Sequence, residues 1–466
     1  MASRCEMAAS EADDTPWSAR LRDGAPPSVS VLVATALVVA DMIGVGVFTS
    51  LGFQVKDIPS GFAILLLWGI GGVVALCGVF AYAELGGMFP RSSGEYNFLS
   101  RAFHPAIGFM AGFVSATVGF AAPVALSAMA FGHYATVVLP GVPSRLMAVG
   151  AVWLVSLVQL GGVRYSSSFQ LVSTILKVGL IAAFLVAGVL LPSPQPVSFV
   201  PALSDLGLIA SGPFAIGLVF VMYAFSGWNA ATYIIGEMHA PEQSLPRSLL
   251  AGTAIVLVLY IALNTVFLLA APMASLAGQL QVASIAGSYI FGELGGRMVA
   301  AMICIGLVPS IAAMMWIGPR VTMTMGEDVP ALSIFARRSR AGAPINALLL
   351  QLAVANLMLL TDSFEAVLDF IQFSLLACSF LTVLGLFKLR VTHPDLARPY
   401  RAWGYPVTPA VFLLVTGFMM YYLFAQRPLQ AMLGTAVMIS GLLIYLLAHR
   451  RPGARAAGAY PSREVR

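Results

Sequence analysis

Lys177 is a strong base placed where there is no water. It sits in Leu171-Val172-Ser173-Thr174-Ile175-Leu176-Lys177-Val178-Gly179-Leu180, inside an apolar run at 166 to 191. A lysine at that depth of a bilayer costs about 2.5 to 3.5 kcal/mol. It lies roughly 16 Å from either end at helical rise, too far for its ammonium to snorkel to an interface. Such a group must find a partner or give up its proton. Asp41, just before Gly44 in the first apolar run, is a second intramembrane charge and a candidate partner. It can equally cap a half-helix or face a water-filled vestibule. Ser310, Asp369 and His133 also fall within apolar runs and are candidate lining groups. Glu84, Glu237 and Arg320 lie near the ends of theirs, where ion-paired gating or loop anchoring suits them better than ligand contact.

Two glycine-bearing interruptions would position these groups. One is Ile43-Gly44-Val45-Gly46-Val47-Phe48; the other is Tyr223-Ala224-Phe225-Ser226-Gly227-Trp228. A helix in lipid must satisfy its own backbone, so paired breaks are tolerated where the freed N–H and C=O groups line a protected cavity. The β-branched Val45 and Val47 beside two glycines weaken the first helix locally. Gly71-Gly72 reads instead as a close-packing surface between helices.

The elements that carry the breaks are membrane spans. The chain has 466 residues, 59% hydrophobic and only 10% charged, against roughly 25% charged in a soluble domain. About twelve runs are long enough to cross a hydrocarbon core, among them 29 to 53, 105 to 138, 166 to 191, 211 to 236 and 298 to 326. The expectation is an all-α polytopic membrane protein. Residues 1–28 read as a disordered cytoplasmic tail, 29–191 and 211–390 as two five-span halves, 405–448 as two further spans and 449–466 as a basic cytoplasmic tail. An odd number of spans per half inverts the second half, so the two breaks meet near the midplane from opposite sides.

With both termini inside, about 20 Lys and Arg fall on cytoplasmic segments and about 4 outside. The net charge of +5 is therefore explained by membrane orientation and anionic lipid, with no nucleic acid needed. Cys5, Cys77, Cys304 and Cys378 are too scattered to suggest a disulfide framework or a metal cluster. No phosphate-binding loop, His-Glu-x-x-His helix or Gly-x-Ser-x-Gly elbow occurs, so an ATP-driven pump and the common hydrolases are disfavoured, and no cofactor is implied.

Several motifs in order resemble one family. Met42-Ile43-Gly44-Val45-Gly46-Val47-Phe48 is similar to the Ile-Gly-x-Gly-Ile-Phe signature of the amino acid/polyamine/organocation superfamily, and Pro90-Arg91-Ser92-Ser93-Gly94-Glu95-Tyr96 to its Pro-x-Ser-Gly-Gly-x-Tyr loop. Phe225-Ser226-Gly227-Trp228, with Glu237-Met238-His239-Ala240-Pro241 and Leu245-Pro246-Arg247 after it, resembles the broken sixth helix of the L-type amino acid transporter branch. Gly318-Pro319-Arg320 and Arg398-Pro399-Tyr400-Arg401-Ala402-Trp403-Gly404-Tyr405-Pro406 continue the likeness, which spans roughly 29 to 448. The chain departs from the pattern where Gly236 replaces the first of two acids ending helix 6 and where His133 enters helix 3.

The resemblance implies a LeuT-type fold of inverted five-helix repeats with broken helices 1 and 6 plus two extra helices. It also implies secondary transport of L-amino acids by alternating access, as proton symport or as exchange. Amides after Gly44, near Ile43, Val45 and Gly46, would meet the substrate carboxylate at a positive helix end. Carbonyls near Phe225, Ser226 and Gly227 would meet its ammonium, with Phe225 or Trp228 as gate. Lys177 would occupy the place where related carriers bind sodium, reaching the first-helix break and helix 8, with Asp41 and Ser310 as further candidates for that coupling site. The expected partners are a small L-amino acid, the lipid bilayer and protons as candidate co-substrate, without an obligatory partner chain. The expected location is the plasma membrane, the bacterial inner membrane on the weak cue of Arg exceeding Lys. An intramembrane enzyme, a channel or a transport-dead sensor of the same fold are the alternatives.

Overall fold

A computed structural model describes residues 29–90, 94–160, 167–338 and 344–449, with backbone alone at 167–174, 237 and 449. The tail at 1–28, the loop residues Arg91, Ser92 and Ser93 and nearly all of 449–466 lie outside the described residues. Fifteen helices organise the rest. They are α1 Val31–Met42, α2 Gly46–Asp57, α3 Gly61–Met88, α4 Glu95–Ala102, α5 Pro105–Val138, α6 Ser144–Leu160, α7 Ser167–Val189 and α8 Leu203–Ile209. They continue as α9 Gly212–Ala224, α10 Pro241–Ala270, α11 Val282–Asp328, α12 Ile345–Leu359, α13 Phe364–Thr392, α14 Val407–Gln426 and α15 Pro428–His449.

Seven of these are long and apolar enough to cross a membrane, α1 with α2 and α8 with α9 form bent pairs, and three shorter apolar helices complete the twelve expected segments in order. The protein is an all-α, multi-pass membrane protein. Local chemistry sets many helix starts. Ser30, Ser60, Ser211 and Ser363 each accept a bond from a backbone N–H in the first turn of the helix that follows. Proline opens α5 and α10, where its missing N–H leaves nothing unsatisfied.

Three elements depart from the expected spans. The span expected at 298 to 326 is the second arm of a longer helix, α11, bent at Gly292 with φ 76°, a conformation open to glycine because it lacks Cβ. In α5 the helix widens into a π turn at Ser115–Gly119. Pro123, four residues beyond Gly119, has no N–H for the helical ladder and a ring that crowds that carbonyl, and the wider turn relieves both. The sixth span is α-helical only to Ala224. After it come turns and two short 3₁₀ segments, Ala230–Tyr233 and Ile235–Glu237.

The N-terminal face of the bundle carries Val29, which pairs with Met238 in an isolated bridge, and the α4 residue Tyr96, whose hydroxyl donates to Asp328 at 2.7 Å. The opposite face carries the starts of α3, α9 and α13. At the centre, α1 packs on α10, α2 on α9, α3 on α10 and α5 on α11. In α15 only 17% of the apolar window is buried, so this helix lies at the rim.

Candidate functional site

The first break follows Met42. Ile43 N–H closes the last turn of α1 on Val39 O at 2.9 Å, and Gly44 N–H folds back on Met42 O at 2.7 Å. The chain then bends by 40° into α2. Gly44 has thus spent its own amide; the amides at 45 to 47 open α2, where no earlier helical carbonyl is in register to accept them. The second break follows Ala224. Trp228 N–H bonds Phe225 O at 3.2 Å and Ala230 N–H bonds Gly227 O at 2.9 Å. Each of those carbonyls keeps a second lone pair, and Ser226 O takes neither turn bond.

The two breaks touch. A Cβ at Gly46 would lie 2.5 Å from Ala224 Cα, and one at Gly227, where φ is +99°, would lie 2.6 Å from Asp41 Oδ2. Gly46 is therefore demanded by close approach of backbone, and Gly227 by its left-handed φ and the Asp41 carboxylate beside it. Gly44 differs, because the nearest atoms to a Cβ there are 3.9 Å away. Around the contact is a cavity of about 160 Å³ lined by Asp41, Gly44, Val45 and Gly46 from the first break and Ser226, Gly227 and Trp228 from the second. A positive helix end and a set of exposed carbonyls thus open into one space.

Ile43 and Phe225 stand behind it, fully buried and outside the lining. Phe225 packs on Tyr260 at 5.1 Å and Trp68 at 6.4 Å, so it supports the break from the rear. Lys177, 7% exposed, donates from Nζ to Ser310 Oγ at 2.7 Å, and Ser310 lines the cavity. Asp41 is within electrostatic reach of Lys177; among the described residues the two form no ion pair within 4 Å.

The outlying candidates separate by face. Glu84, fully buried in α3, accepts from Arg390 Nε at 2.9 Å and from Ala402 N–H at 2.7 Å, and Arg398 Nε stands 3.3 Å away. This hub ties α3 to the end of α13 and the following loop at the N-terminal face. The Glu237 side chain lies outside the described residues. Arg320 is exposed, with its guanidinium 3.4 Å from the Trp316 ring centroid and a bond to Trp316 O at 2.7 Å. Asp369 sits near the opposite face, 3.3 Å from Arg427. His133 lines a small pocket there with Arg145 and Asp362.

Two residues of the centre were not singled out from the sequence. The Tyr260 hydroxyl lies between Met42 O and Ala224 O, 3.1 Å from the latter, and so bridges the carbonyl ends of both half-helices. The available signal was a phenol in the middle of an apolar span, where its O–H must find an acceptor. Glu95, read only as part of a turn motif, lines the cavity and accepts from Tyr82 and from Ser379 Oγ at 2.7 Å.

Toward the opposite face the cavity is closed. Phe53 of α2 stacks on Phe220 of α9 at 4.9 Å and on Phe364 of α13 at 5.8 Å. Beside them Gln54 reaches Gly217 O at 3.4 Å and accepts from Trp68 Nε1 at 2.9 Å. Gly278 N–H bonds Gly52 O at 2.8 Å, laying the segment after α10 over α2. Toward the N-terminal face the lining continues through Asn229, Tyr233 and Glu95.

A family profile described as "Amino acid permease" matches residues 29–448. Among curated proteins, the chain is similar to the mouse (Mus musculus) Asc-type amino acid transporter 1, 24% identical over 429 residues, covering 90% of this chain and 80% of the relative. It is similar to the mouse b(0,+)-type amino acid transporter 1, 25% identical over 434 residues, covering 90% and 87%. It is also similar to the human (Homo sapiens) large neutral amino acids transporter small subunit 2, 24% identical over 440 residues, covering 90% and 80%.

Proposed function

The chain belongs to the amino acid permease family, and from that premise we propose that it is a secondary carrier of L-amino acids whose two helix breaks together bind the substrate's zwitterion. The observation that carries this reading is the interlock of Gly46 with Ala224 and of Gly227 with Asp41 around one cavity. The amides at 45 to 47 offer a positive helix end to the carboxylate. Carbonyls at the end of α9 and in its turn, Ser226 among them, offer acceptors to the ammonium. Backbone supplies both, so the substrate's side chain is read separately, by the apolar remainder of the cavity, including Phe120, Met314 and Ile371.

Lys177 supports the site from behind. Its Nζ, held on Ser310, lies within electrostatic reach of Asp41 at the first break. The positive-inside distribution of Lys and Arg supports a cytoplasmic N-terminal face. On that orientation, the aromatic stack at the opposite face supports a state in which substrate exchanges with the cytoplasm. Flux in the other half of the cycle requires the Phe53, Phe220 and Phe364 stack to part.

The test is radiolabelled uptake by purified protein in proteoliposomes across a panel of L- and D-amino acids, with internal amino acid and the pH gradient varied independently. The expected result is saturable uptake that prefers L-isomers. Stimulation by internal amino acid alone assigns exchange; stimulation by inward protons alone assigns symport. Flux that does not saturate would make the protein a channel, and binding without flux a sensor, and either would overturn the proposal.

A further inference from the structure

The central cavity has an unbalanced charge. Its lining contains two carboxylates, Asp41 and Glu95, and no Lys, Arg or His among the described residues. Asp41 has Lys177 within electrostatic reach. Glu95 has no such counter-charge: it is 5% exposed and, among the described residues, no cation stands within 4 Å of it. Its two bonds, from Tyr82 on α3 and Ser379 on α13, both fall on Oε1. That leaves Oε2 to the cavity which the residue lines.

A buried carboxylate is tolerated when it is neutralised or paired, and here hydroxyls supply only part of that. The other groups facing it are Cys378 beside Ser379 and the Tyr233 phenol, which lies within reach of both Glu95 and Asp41; neither brings a positive charge. Trp228 lines the same cavity and meets the Tyr82 ring edge-on at 4.6 Å. Aromatic surface is therefore set beside the carboxylate, an arrangement that favours a cation.

We propose that Glu95 is the seat of one positive charge that travels with the substrate: a proton when the amino acid is neutral, or the side-chain cation when it is basic. This rests on the zwitterion site proposed above and adds a second, separable site to it. A zwitterion satisfies the two breaks and brings no net charge, so the carboxylate at the N-terminal end of the cavity still needs a cation when the cavity closes over its load. Burial pushes the Glu95 carboxyl above its ordinary range, against the two hydroxyl donors that lower it. A proton bound on Oε2 and a guanidinium or ammonium lying against it are alternative occupants of the same place.

The experiment is uptake of L-leucine and of L-arginine by the full chain in proteoliposomes between pH 5.5 and 8.5, for wild type and Glu95→Gln, with folding checked by size exclusion and melting in detergent. If the charge is a proton, wild-type leucine uptake falls by up to about tenfold per pH unit above the carboxyl's pKa, as one-proton linkage requires, and Glu95→Gln flattens that profile. If it is the substrate's cation, wild-type arginine uptake is flat with pH and Glu95→Gln loses arginine far more than leucine. A Glu95→Gln protein with the wild-type pH profile and the wild-type ratio of arginine to leucine uptake overturns the proposal and leaves the carrier reading intact. A folded wild type that moves no amino acid in the wider panel instead removes the carrier reading. Should Glu95→Gln fail to fold, Ser379→Ala removes one donor from Oε1. It is expected to move the midpoint of the leucine profile to higher pH, or to change the arginine to leucine ratio if the cation is the substrate's. Neither changing is the contrary result.

Discussion

At the residue scale, three glycines of the two breaks answer to different forces. Gly46 is held by Ala224, whose Cα would stand 2.5 Å from a new Cβ. The neighbour is backbone, so it cannot swing aside, and Gly46→Ala is expected to cost about 1 to 3 kcal/mol through overpacking. Gly227→Ala adds a Cβ at φ +99° against Asp41, a backbone strain of about 1 to 3 kcal/mol before the contact is counted. Gly44→Ala meets nothing nearer than 3.9 Å, at a residue that lines the cavity. The expected outcome is wild-type melting for Gly44→Ala with a raised KM, against lowered melting for the other two; thermal denaturation in detergent and uptake kinetics separate them. Equal melting of all three would show that the breaks do not press on each other. The glycines of both breaks were legible in the sequence but this division was not, because it depends on a partner about 180 positions away in the chain.

At the element scale, what could be read ahead depended on whether an element's reasons are local. Long apolar runs, serine caps and first-turn prolines are local, and the membrane helices followed from them. The second half of the sixth span was expected to resume as a helix and does not. Its course is set by the left-handed Gly227, by turns that close on Phe225 and Gly227, and by the bridge from Met238 back to Val29. Glu95 was hidden for the same reason: its neighbours suggest a turn, and the bond that gives it meaning comes from Ser379, 284 positions later.

The Glu84 hub is also an element-scale device, since one carboxylate holds two arginines and a loop amide. It fixes the end of α13 against α3 at the N-terminal face. Glu84→Gln leaves both arginines without their counter-charge in a buried setting, which typically costs about 3 to 5 kcal/mol. Melting in detergent should drop clearly, whereas a change confined to transport with unaltered melting would make Glu84 a gate and not an anchor.

At the scale of the whole molecule, the arrangement is a cavity with one closed wall. The stack of Phe53, Phe220 and Phe364 joins α2 to α9 and to α13, so opening that face requires these contacts to part. The interlock at Gly46 and Gly227 brings the two breaks into contact with each other. The proposed recognition of substrate by backbone rests on this geometry, because the groups that converge there are helix ends and turn carbonyls. That claim is tested most directly by competition against radiolabelled uptake, using the best L-amino acid substrate, its methyl ester and its N-acetyl derivative as inhibitors. The account predicts that each blocked form inhibits roughly tenfold to a hundredfold more weakly than the free amino acid, since each loses one charge-assisted set of hydrogen bonds. Equal inhibition by all three would contradict it.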